Sequence, residues 1–256
     1  MRSFIAFFKK ELLETVRSGK LLILLAIFCA LGIMNPAVAK LTPWIAEMLS
    51  DELAESGMIV VDVKVDALTS WTQFFKNIPI ALIAFIFIYG GSFAREYESS
   101  TLVLILTKGL ARYKVVIAKA SLALSLWSVG YWLCFLITYG YNAYFWDNSI
   151  ATGLFSAVLS WWLFGVITVA LTVFFSVVSL SYSAVLLGVG GTVFASYIVG
   201  LFPKASKYLP TALINTSSLL VGAESFEDYL PAFMITAVAS AVLVCISIPI
   251  FNKKQI

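Results

Sequence analysis

The residues best placed to do chemistry are the charged ones gathered in REYESSTLVLILTKGLARYKVVIAK, Arg95 to Lys119. Glu96 and Glu98 stand at its head, against Arg95, Lys108, Arg112, Lys114 and Lys119, while Leu102, Val103, Leu106 and Leu110 recur at helical spacing. That pattern suits recognition more than bond-making. A short helix held against the inner face of a bilayer, basic on one side and apolar on the other, gives a soluble partner a surface to grip and push. Any short cytoplasmic loop is also expected to be basic, and that reading stands beside the first.

The rest of the chain narrows the chemistry by subtraction. It has no histidine, which excludes Ser-His triads, HExxH metal sites and imidazole proton relays. Cys29, Cys134 and Cys245 lie within apolar runs without CxxC spacing and read as small buried hydrophobes. There is no GxxxxGK[ST] loop, so any ATP-driven work would need a motor on another polypeptide. The acidic residues between 40 and 76 lack the spacing of an oxygen-ligand metal site and read as a solvated face.

The elements that must position these residues are membrane helices. With 61% hydrophobic residues, 12% charged residues and a mean hydropathy of +0.97 in 256 residues, the chain is too apolar for a water-soluble domain. Over 3–18, Phe4, Ile5, Phe8, Leu12 and Val16 fall on one side of a helix and Arg2, Lys9, Lys10, Glu14 and Arg17 on the other, which predicts a helix lying in the interface. Ser18 and Gly19 permit a bend before a first span at 21–39. That basic start, apolar run and Ala37-Val38-Ala39 also resemble a cleavable signal; the length of the run and the leader's Glu11 and Glu14 favour retention.

An outer segment at 40–76 follows. Thr42-Pro43 reads as a cap and first-turn proline opening one short helix, a second starts near Asp66, and 59–65 is extended between them. Further spans are expected at 77–94, 120–139, 151–178, 184–202 and 230–251, with a second outer segment at 203–229. The 56 uncharged residues from Asn148 to Pro203 would make a helix of about 84 Å, so they must fold back, and Ser179 to Ser183 is the expected turn. Gly188 to Gly191 reads as close helix contact. The aromatics from Tyr139 to Trp146 read as an interfacial belt. The expected fold is therefore an all-α polytopic membrane protein, six transmembrane helices behind an amphipathic elbow helix. Twelve of the seventeen basic residues and only four of the fourteen acidic ones fall on the side of the two termini, which places both termini in the cytoplasm. No charge lies at mid-span, which lowers the case for an ion-coupled transporter or proton pump.

This order of parts resembles the membrane-spanning subunit of ABC-2 type ATP-binding-cassette transporters. The resemblance rests on FIAFFKKELLETVRSGK (Phe4 to Lys20) as elbow helix, on the outer segment entering TSWTQFFKN (Thr69 to Asn77), and above all on 95–119. There the family places an acidic residue, Gly-Thr-Leu, a leucine pair, Lys-Gly or Lys/Ser-Pro and an Arg. This chain supplies Glu96 and Glu98, Thr101-Leu102, Leu104 and Leu106, Lys108-Gly109 and Arg112, with Lys119 opening the third span and Ser100 in the place of the glycine.

The resemblance implies a permease that pairs with a second permease subunit in the plasma membrane. Each copy would dock a separate ATP-binding-cassette ATPase, which carries the ATP and Mg. The contacts would be the elbow (Phe8, Lys9, Lys10, Glu11, Arg17) and a coupling helix from Thr101 to Arg112, with Glu96 and Glu98 as a charged hinge and Leu102, Leu106 and Lys108 in the contact. This chain would bind no cofactor and no nucleic acid, and membrane lipid would surround it. Substrate would leave the cytoplasm or inner leaflet. Trp127, Tyr131, Trp161 and Trp162 are candidates to line a path, against a reading as packed or lipid-facing aromatics. Two rival classes remain: a passive channel or non-transporting sensor or immunity-type membrane protein, and an intramembrane hydrolase or transferase, whose nucleophile with base or metal cluster is not visible in any span.

Overall fold

The computed structural model of the chain describes residues 2–48, 65–91, 102, 106–107, 109–179, 181–215 and 217–254. Seven long helices account for most of them: α1 (Arg2–Arg17), α2 (Lys20–Met48), α3 (Ala67–Tyr89), α4 (Arg112–Phe145), α5 (Leu154–Val178), α6 (Tyr182–Gly200) and α7 (Phe226–Lys253). Among the described residues the six from α2 to α7 are long and apolar enough to cross a membrane. The protein is a polytopic helical membrane protein.

Local chemistry explains where the helices begin and end. α1 stops at Gly19, whose φ of 74° turns the chain left-handed into α2, a conformation glycine adopts without penalty. Asp66 caps α3 by accepting from the Thr69 N–H at 2.9 Å. Ser225 and Asp228 cap α7 reciprocally. α5 ends at Val178 and α6 begins at Tyr182, joined by the serine-rich turn.

Three helices run further than the sequence suggests: α4 (Arg112–Phe145) overruns its expected span of 120–139 at both ends, and α2 and α3 absorb expected separate elements. Thr42-Pro43 does not open a helix; both lie inside α2, where the Thr42 hydroxyl donates back to the Val38 carbonyl at 2.8 Å. The hydroxyl is spent on the preceding turn, not on a cap, and the proline removes a single ladder bond. α3 likewise runs unbroken from Ala67 through Pro79, so the expected short helix near Asp66 and the second span are one rod. The expected extended piece falls mostly outside the described residues.

α5 is the central element: 72% of its apolar stretch is buried, against 11% for α6, which packs on α5 at one edge. α7 and α4 pack on α5, and α2 packs on both α3 and α4. Glycine sets two close approaches. A Cβ on Gly165 of α5 would run into the Trp127 indole of α4, and one on Gly130 of α4 into the Phe28 ring of α2. Of the three glycines in the 188–191 run only Gly188 meets a neighbour, Phe175; Gly190 and Gly191 face open space, so close contact holds at one glycine of three. Toward the far end, Asn77 donates to Asn35 at 2.9 Å, Asn35 to Thr138 at 3.3 Å and Thr138 to the Gly32 carbonyl at 3.0 Å, a polar chain that ties α3, α2 and α4. Short helical turns at Pro210–Ile214 and Ser217–Leu220 fold back over the far end of α5, and one at Pro203–Ser206 packs on α6.

Candidate functional site: the basic end of the bundle

The start of α1, the first turns of α4, the ends of α5 and α7, and Leu102 and Leu106 meet at one end of the bundle. Phe7, Leu102, Val115, Val116, Ala118, Ala120, Val173, Val177 and Phe251 form a second hydrophobic cluster there, with Phe4, Phe8, Leu106 and Leu110 packed against it. Leu102 is completely buried in it. Gly109, at φ 86° with its N–H on the Leu106 carbonyl at 3.0 Å, turns the chain from that segment toward α4.

α1 has three faces, where the sequence pattern suggests two. Phe4, Phe7, Phe8, Glu11 and Thr15 face the bundle; Ile5, Leu12 and Val16 form an exposed apolar stripe; Lys9, Lys10, Glu14 and Arg17 occupy the remaining, solvated arc. The expected apolar side is thus split. The aromatic half packs on protein, where large rings bury most area, and the aliphatic half is left for lipid.

The centre of the packed face is an ion pair. Lys119, 1% exposed, places Nζ 2.7 Å from Oε2 of Glu11, itself 5% exposed. Lys10 reaches the other oxygen, Oε1, at 2.9 Å and Glu14 at 2.9 Å. Tyr89 of α3 donates its hydroxyl to the Lys119 carbonyl at 3.2 Å. Burial pushes the Glu11 carboxyl up, but the charge and hydrogen bond of Lys119, followed by those of Lys10, more than offset this and hold it below its ordinary value. The pair was not foreseen from the sequence, although opposite charges on an elbow helix and at the head of a span were both visible.

Two more basic residues close the helix ends. Arg112 Nη1 donates to the carbonyls of Phe251, Asn252 and Lys254 at 3.4, 3.0 and 2.6 Å, satisfying the end of α7. Lys254 Nζ in turn donates to the Val177 and Val178 carbonyls at the end of α5, at 2.6 and 3.1 Å. Cations at helix carboxyl ends are favoured by the axial dipole. Lys114 reaches Ser3 of α1 at 3.0 Å. These contacts set the two termini at the same end of the bundle.

The structure corrects the expected coupling helix in one respect: Arg112 is the first residue of α4, not the last of a separate helix. Leu102, Leu106 and Thr107 are helical, while Glu96, Glu98, Thr101 and Lys108 lie outside the described residues. Of the expected elbow contacts, Lys9 and Arg17 are exposed, Lys10 and Glu11 are paired, and Phe8 is half-buried between the two clusters.

The four candidate path aromatics act as internal ties. Trp127 and Tyr131 are fully buried, the indole donating to the Trp162 carbonyl at 3.2 Å and the phenol to that of Val158 at 2.7 Å. Trp162 donates to Ser128 Oγ at 3.1 Å and Trp161 to the Ile214 carbonyl at 3.2 Å. Trp161 borders a cavity of about 450 Å³ between α3, α5 and α6 lined by Leu82, Phe164, Val189 and Phe194 among others, and Trp162 is half-buried.

The family model described as ABC-2 family transporter protein matches residues 5–252, from α1 to the last turn of α7. The chain belongs to that family. No curated protein and no solved structure matches it. As an ABC-2 permease it is a membrane transport component.

Proposed function

We propose that this permease is the membrane-spanning subunit of an ATP-driven exporter, with both termini in the cytoplasm of a plasma-membrane protein. Two such subunits pair, and each docks a separate ATPase subunit that binds ATP and Mg, using α1 and the segment around Leu102 and Leu106. Closure of the ATPases pushes that segment, and substrate leaves the inner leaflet or cytoplasm. The observation that carries this reading is the burial of Leu102 among side chains of α1, α4, α5 and α7. A load applied at Leu102 would bear on three spans and the elbow through the side chains packed around it. The bias of basic residues toward this end supports its cytoplasmic placement.

Leu106→Asp tests the reading, because Leu106 is only half-buried and its loss leaves the large core of the spans untouched. The wild-type chain is expected to co-purify with an ATP-binding-cassette ATPase, and the variant to release it while unfolding at an unchanged temperature. Retention of the ATPase by the folded variant would refute the docking. In a background without Cys29, Cys134 and Cys245, a cysteine replacing the exposed Thr107 should be labelled only from the cytoplasmic side; labelling from outside would overturn the orientation.

A further inference from the structure

The far ends of α2 and α4 carry a feature that transport does not require. Lys20 and Lys40 stand at the two ends of the apolar part of α2, twenty residues apart, or about 30 Å of helix, the thickness of a hydrocarbon core. The Lys40 ammonium therefore sits at headgroup depth on the side opposite the basic end. It is exposed, lies 3.7 Å above the ring of Phe145, and has no carboxylate partner among the described residues. The ring takes one face of the ammonium and leaves hydrogen-bond donors for an anion.

Phe145 stacks on Tyr141 with ring centroids 6.4 Å apart and planes within 18°, forming a ridge. On one side of the ridge is a groove of about 440 Å³ floored by Ile33, Pro36, Ala37 and Leu41, with Lys40 at its rim. On the other is a groove of about 490 Å³ floored by Leu136, Ile137 and Gly140. Both are almost entirely apolar. The second owes its depth to Gly140, where an added Cβ would meet nothing within 4 Å.

We infer that this site binds one diacyl phospholipid of the far leaflet, its phosphate on Lys40 and its two chains on either side of the Tyr141–Phe145 ridge. A cation at headgroup depth with no carboxylate partner among the described residues attracts phosphate by charge, and paired apolar grooves that share one wall match two chains leaving one glycerol. The reading does not depend on transport or on an ATPase.

Native mass spectrometry of the detergent-solubilised full chain, supplied in turn with phosphatidylglycerol, diacylglycerol and single-chain lysophosphatidylglycerol, tests it. One phosphatidylglycerol per protomer should be retained, and diacylglycerol should not. Lys40→Glu should weaken phosphatidylglycerol about tenfold, and Lys40→Arg should restore it. Gly140→Leu, which fills one groove, should lower retention of the diacyl lipid and spare the single-chain one. Equal retention of diacylglycerol and phosphatidylglycerol by the wild-type chain would overturn the proposal without any substitution. So would Lys40→Glu binding like wild type, or Gly140→Leu treating both lipids alike.

Discussion

Removing one member of the Glu11–Lys119 pair should be among the most damaging single changes at the basic end. Glu11→Gln leaves the Lys119 ammonium, 1% exposed, facing a neutral amide. Breaking a buried pair in this way costs about 3–5 kcal/mol. Lys119→Met should cost less, because the carboxylate keeps Lys10 at 2.9 Å; that second pair is half-exposed and contributes about 1 kcal/mol or less. The double change Glu11→Leu with Lys119→Met removes both charges and fills the space with apolar atoms, so it should lie within about 1 kcal/mol of wild type. Unfolding in mixed micelles, followed by tryptophan fluorescence, gives the four corners of the cycle, and hydrogen exchange of the α1 amides should rise in step with each single loss. The reasoning fails if Glu11→Gln costs under about 1 kcal/mol, or if the double variant is no more stable than its parents. Either result would mean that water reaches the pair.

The same pair fixes a pH dependence. Because the folded Glu11 carboxyl lies below its ordinary value of 4.5, its contribution is complete above that pH and is lost as the pH falls further; α1 amide exchange should accelerate below about pH 4.5 in wild type but not in the apolar double variant. Arg112→Gln should free the three carbonyls that end α7, costing about 1–3 kcal/mol and raising exchange in its last turn, with Arg112→Lys recovering only part because its shorter side chain falls short of the position of Nη1; an unchanged last turn would refute the cap. Gly165→Ala should cost about 1–3 kcal/mol by forcing α5 away from Trp127, and Trp127→Phe in the same chain should return part of it; additive losses measured by thermal unfolding would refute the clash.

The six spans were legible because each is an uncharged stretch of membrane length, and nothing in tertiary packing can alter that arithmetic. Their outer limits were less so. Pro43 and Pro79 carry the signal of a helix start, yet each sits inside a rod whose remaining ladder bonds outweigh the one removed. The apolar residues of α1 were visible, but their division between protein and lipid was not, since hydropathy ranks Phe and Ile alike while packing separates them. At the basic end, Leu102 and Leu106 could be picked out by period. The partners of Arg112, Lys119 and Lys254 could not, because their hydrogen bonds join positions more than seventy residues apart. Two of those three partners are main-chain carbonyls, which leave no trace in composition.

Glu11 leaves the ribosome 108 residues before Lys119. The carboxylate is thus already waiting at the membrane surface when the third span is made, and the ammonium is never stripped of water without a counter-charge within reach. A chain circularly permuted to open in the turn between α1 and α2 would reverse that order, delivering the lysine first, and would need the lipid headgroups to shelter it until synthesis was complete.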